Sequence, residues 1–108
     1  MKRPWFYVLL SLASSDRYGS DIQEDVRHLT DGEVKLWPAT LYGSLDELRE
    51  RGWIRQLEAH EQPDDGGGRE RFYRITDAGR EALRGEVRRM EELTRLVRTR
   101  MQTSGVEP

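Results

Sequence analysis

Trp37-Pro38-Ala39-Thr40-Leu41-Tyr42-Gly43-Ser44-Leu45-Asp46-Glu47-Leu48-Arg49-Glu50-Arg51-Gly52-Trp53-Ile54 is the stretch on which the fold turns. Leu41, Leu45 and Leu48 recur at helical spacing and mark an inward stripe. Pro38 suits the first helical position, where its fixed φ fits and its missing N–H costs nothing. Gly52 is a C-terminal stop. The pattern predicts a helix whose leucines pack inward and whose Thr40, Gly43, Ser44 and Glu47 lie on the opposite face. The first turns of that face are small and polar, so another molecule's surface can approach the backbone closely.

Upstream, Tyr18-Gly19 breaks the chain and a second helix follows, with Ile22, Val26 and Leu29 on one face. Ser20 reads as its N-cap, with Gln23 completing a capping box, and Thr30-Asp31-Gly32 ends it. A first helix is expected from Pro4 to Ser14. Trp5, Val8, Leu9 and Leu12 share one face, yet Phe6, Tyr7 and Leu10 are apolar too. A helix apolar nearly all round is buried on more than one side. In so small a domain the second side is expected to meet another subunit. Lys2 and Arg3 before this run give it the outline of a secretory signal, but the run is short and no small-x-small cleavage site follows. The expectation is a buried helix in a cytoplasmic protein. No run reaches the roughly 20 apolar residues of a transmembrane helix, so no membrane partner is expected.

Downstream, Trp53 to Glu61 has β character, Pro63 to Gly68 forms a loop tip, and Arg71 to Ile75 reads as a second strand. Thr76 caps a last helix running to about Met101. Its Leu83, Val87, Met90, Thr94, Val97 and Met101 are spaced in a heptad-like seam, widened by Leu93 and Leu96. Residues 102–108 read as a flexible tail.

The chain has 108 residues, 35% hydrophobic and 35% charged, so it buries only a modest core and self-association is expected to add stability. It has no cysteine, which excludes disulfides, thiolate metal sites and cysteine nucleophiles. Its only histidines, His28 and His60, lie on different elements without ligand spacing and read as surface residues. No Gly-x-Ser-x-Gly turn, phosphate loop or paired acid/base set is present, so neither an enzyme nor a cofactor or metal is expected. With 18 basic and 20 acidic residues the net charge is −2, so any nucleic-acid site must come from local patterning. Arg69, Arg71 and Arg74 face only Glu70 around the second strand. Over 33–55 the basic residues are matched by Glu33, Asp46, Glu47 and Glu50, which would confine base contacts to the first turns of the third helix.

The order helix, helix, helix, hairpin, long helix is that of a winged helix-turn-helix, in which the later helix of the pair enters the major groove. The fold class is mainly α with a small β-hairpin. The expected division is a DNA-binding domain over 1–76, a dimerisation helix over 77–101 and the tail.

Three blocks carry a resemblance: Tyr18-Gly19, the stretch from Trp37 to Ile54, and Gly68-Arg69-Glu70-Arg71-Phe72-Tyr73-Arg74-Ile75-Thr76-Asp77-Ala78-Gly79. Together they resemble the PadR-like transcriptional regulators, in the short subgroup with a single C-terminal helix. The resemblance implies a homodimeric repressor on a palindromic double-stranded operator, and the aromatic residues make a small aromatic effector the candidate for its release. It assigns DNA contacts to Pro38, Thr40, Tyr42, Gly43 and Ser44 on the helix and to Arg69, Arg71 and Tyr73 on the wing. Tyr42 either donates its hydroxyl to a phosphate or packs beneath the helix. The dimer interface is expected at Trp5, Leu9, Leu83, Val87, Met90, Leu93, Val97 and Met101. Trp5 and Met90 are the candidate effector contacts. Trp37 departs from the pattern, standing where the family has a small polar capping residue. The alternative function is a winged-helix protein-interaction module without its own DNA target.

Overall fold

The computed structural model describes residues 1–62 and 71–103. The expected loop tip and the far end of the tail lie outside them. Helix α1 spans Arg3–Ser14, α2 Gly19–Leu29, α3 Pro38–Glu50 and α4 Asp77–Thr103. Strands β1 (Arg17–Tyr18), β2 (Ile54–Gln56) and β3 (Phe72–Ile75) form an antiparallel sheet in the order β1-β3-β2. The register pairs Ile54 with Ile75, Arg55 with Arg74 and Gln56 with Tyr73, and on the other edge Arg17 with Tyr73.

The core follows from the apolar stripes. Trp5, Val8, Leu9 and Leu12 of α1 meet Ile22 and Val26 of α2 and Leu41, Leu45 and Leu48 of α3, and Ile54, Tyr73 and Ile75 close it from the sheet. Leu36 and Val34, in the connection between α2 and α3, are buried in the same cluster.

Four expectations need correction here. The strand expected over Trp53–Glu61 is only three residues long. Leu57 still donates its N–H to the Phe72 carbonyl, but the chain then turns into a short 3₁₀ segment, Ala59–Glu61, closed by a capping box between Glu58 and Glu61. The Ser20 cap is not formed. Tyr18 takes the N-cap position of α2 without a side-chain bond, and the Gln23 amide instead donates to the Leu36 carbonyl at 2.7 Å. Third, β1 adds a strand to the expected hairpin. Fourth, Trp5 and Leu9, expected at a dimer interface, are 5% and 0% exposed inside the single chain. The helices and sheet of this chain bury that side of α1, leaving Leu10 as its exposed large apolar residue.

The start of α4 is fixed from three directions. Thr76 donates its hydroxyl to the Gly52 carbonyl at 2.6 Å and accepts the Gly79 N–H at 3.1 Å. The Thr76 N–H donates to the Trp53 carbonyl. Gly52 has φ of +75°, the left-handed geometry that favours glycine at a helix end. Leu83 still packs partly against the core, and the Met1 ammonium meets Glu86 at 3.5 Å. From Val87 to Thr103 every residue of α4 is exposed. A helix of this length extends for about 40 Å, and it accounts for the long 60 Å axis of the molecule.

Candidate nucleic-acid interface

Pro38 starts α3 after Trp37, whose side chain makes no capping bond. The amides of Ala39 and Thr40, in the first turn, therefore have neither a side-chain cap nor an intrahelical acceptor. They sit at the positive end of the helix dipole. Pro38, Ala39, Thr40, Tyr42, Gly43 and Asp46 are exposed, while Leu41, Ser44, Leu45 and Leu48 are buried.

The expected outward face is thus rotated. Ser44 is 5% exposed, because it lies three residues after Leu41 and four before Leu48, on their side of the helix. Glu47 is half-buried and turned toward α1. It accepts the Trp5 indole N–H at 3.0 Å and the Lys2 ammonium at 2.7 Å, and these partners hold its carboxyl below the usual range. Arg51 lies over the Trp5 ring at 4.6 Å, completing a cluster of groups that serve each other. The real outward stripe runs Ala39, Tyr42 with Gly43, then Asp46. Helical arithmetic at 100° per residue finds it; residue size and polarity misassigned Ser44.

Tyr42 is 44% exposed, and its ring reaches back over the start of α2. Its hydroxyl and Cε1 lie 3.0 Å from where a Cβ on Gly19 would stand. The Tyr-Gly pair is therefore explained by space: Gly19 leaves room for the Tyr42 ring between the two helices. Both readings of Tyr42 meet here, with the ring packed and one edge open.

On the wing side Arg71 is exposed, and Arg69 lies outside the described residues. Tyr73, expected at the DNA surface, is 0% exposed. It pairs with Arg17 on one side and Gln56 on the other, so its side chain points into the core from the middle strand. Burial pushes its hydroxyl pKa up, with Arg71 opposing this. Arg74 is also committed. Its guanidinium donates Nε–H to Oδ1 of Asp16 at 3.2 Å and Nη2–H to Oδ2 at 2.8 Å. Arg55 is held by Glu61, whose carboxyl falls to about 2 as a result. Lys35 and Trp37, at the entrance to α3, are exposed. Sequence reasoning marked Trp37 only as a departure from the pattern at the helix start and did not place Lys35 at the site.

Residues 8–85 match the family model described as the transcriptional regulator PadR-like family. The chain belongs to the PadR-like family of transcriptional regulators. A transcriptional regulator from Clostridium thermocellum is similar in structure, with a TM-score of 0.74 and 24% identity, over 89% of this chain and 87% of that one. A PadR family transcription regulator from Clostridium difficile has a TM-score of 0.68 and 25% identity, over 94% and 97%. Bacillus subtilis PadR, solved in complex with operator DNA, has a TM-score of 0.66 and 20% identity. The match covers 80% of this chain and 47% of that protein. The winged helix fold expected from the order of elements is the fold of these PadR-like relatives. Among the described residues, no helix is long and apolar enough to cross a membrane.

Proposed function

We propose that this chain is a homodimeric repressor that binds an inverted-repeat operator. Residues 1–76 form the DNA-binding unit and 77–101 the arm that pairs two copies. The observation that carries the reading is the open first turn of α3. It presents uncapped amides together with the exposed Pro38, Thr40, Tyr42 and Gly43. A helix presented this way fits a major groove, with amides toward phosphates and side chains toward base edges. Similarity in fold to a PadR solved with operator DNA supports DNA as the partner.

Arg71 and Arg69 extend the surface from the wing. Val87, Met90, Leu93, Val97 and Met101 supply the dimer contact, with Leu83 at the junction between arm and core. The support is a row of exposed apolar residues, with Thr94 as its polar member, on a helix whose residues 87–103 are all exposed. An effector that changes the spacing of the two arms would release the operator. Met90, on the exposed face, remains a contact for it, whereas Trp5 is engaged with Glu47 inside the chain.

Selection from a random duplex pool tests the proposal. Enrichment of an inverted repeat, bound more weakly as salt rises, is the expected result, because phosphate contacts release counterions. A pool that enriches no sequence would overturn it.

A further inference from the structure

Trp37 is the most exposed large apolar side chain of the described residues, at 65%. Single exposed apolar residues on a surface are ordinary; the position of this one is not. Its backbone is held on both sides. Before it, Leu36 is buried and its carbonyl accepts the Gln23 amide at 2.7 Å. After it, Pro38 fixes the entry to α3, and the Trp37 carbonyl accepts the Leu41 N–H at 2.8 Å. The indole therefore projects from a fixed point into solvent. It borders a cleft of about 330 Å³ shared with Ser20, Gln23, Arg27 and Lys35. Its N–H has no hydrogen-bond partner among the described residues. Trp37 also gives up the polar side chain that would cap α3, so the helix start loses a stabilising bond at this position.

A rigid aromatic side chain needs an apolar complement to gain by burial. If α3 enters the major groove by its N-terminal end, Trp37 lies at the groove edge beside Ala39 and Thr40. The base edges there present donors, acceptors and one apolar group, the C5 methyl of thymine. We propose that Trp37 is a specificity-determining residue that packs its indole on a thymine methyl in each half-site. The inference rests on the DNA-binding reading above and adds the base class read at the helix start.

The test uses the duplex that the full chain itself selects. Each thymine is replaced in turn by deoxyuridine, which removes the methyl group and leaves the pairing unchanged. The chain should lose affinity about four-fold at either member of one symmetry-related pair of positions, the worth of one buried methyl. Trp37→Ser should bind the thymine and uridine duplexes equally. That variant restores a capping side chain, so it should melt no lower than the parent. The slope of affinity against salt should be unchanged, since no phosphate contact is lost. If the chain binds the duplex but uridine costs parent and variant alike, the Trp37 proposal is overturned and the repressor reading stands. If the chain selects no duplex, both fall.

Discussion

At the scale of single residues, two glycines show how similar letters carry different constraints. A Cβ on Gly79 would fall well inside contact distance of the Trp53 carbonyl oxygen and 2.8 Å from Ile75 Cγ1. The obstacle is backbone, held by the Thr76 bonds, and it cannot yield. Gly79→Ala should cost about 3 kcal/mol, read as a lower melting temperature by calorimetry. At Gly19 the obstacle is the tip of the Tyr42 ring, 3.0 Å away, and a ring can swing. Gly19→Ala should therefore fold nearly as well as the parent but bind operator several-fold more weakly. A Gly19 variant that unfolds, or one that binds as before, would show that the ring is not the partner of that space. Both glycines were legible as parts of motifs. Their reasons lie in tertiary approach, which spacing along the chain does not reveal.

At the scale of elements, regular helices were the most legible part. Three leucines in α3 fixed its inner side, and the side chains at Ser44 and Glu47 were assigned to the wrong face, by chemistry where geometry decides. The sheet was less legible. Strand β1 is two residues long, too short for any alternation to register. The wing was read as a cationic hairpin, but Arg74 spans from β3 to Asp16 and serves the fold. That divides the wing arginines into two kinds. Arg74→Ala should lower the melting temperature modestly, as loss of a bidentate but partly solvated pair allows, and leave operator affinity nearly unchanged. Arg71→Ala should do the reverse, because its side chain is exposed and surface changes usually cost under about 0.5 kcal/mol. Thermal melts and fluorescence anisotropy on the same two proteins separate the outcomes. Equal losses of affinity would mean that the ion pair opens on DNA.

At the scale of the whole molecule, the spacing of α4 was legible because a heptad seam needs no knowledge of its partner. The assignment of α1 was not. A helix apolar all round can be buried by its own chain or by another, and in this fold the three-helix core and the sheet cover Trp5 and Leu9. The proposed dimer then rests on α4 itself. Met90 lies mid-seam and is 39% exposed in the single chain. Near a two-fold axis, Met90→Glu would set two like charges against each other in an apolar contact, so sedimentation should show monomers where the parent is dimeric. The monomer fold should survive, since Met90 supports none of the core. Loss of the dimer has a consequence for DNA that simple weakening does not share. Two copies of α3 related by a two-fold axis can enter successive major grooves only about 34 Å apart, one helical turn. Inserting about 5 base pairs between half-sites turns one of them to the far side of the duplex. The parent should lose tight binding to the lengthened operator. Met90→Glu should bind both operators with the same weak affinity, because each monomer reads one half-site alone. A parent protein indifferent to the 5-base-pair insertion would show that the two DNA-reading helices are not held in fixed relation, and the dimeric repressor would fail while DNA binding by α3 remained.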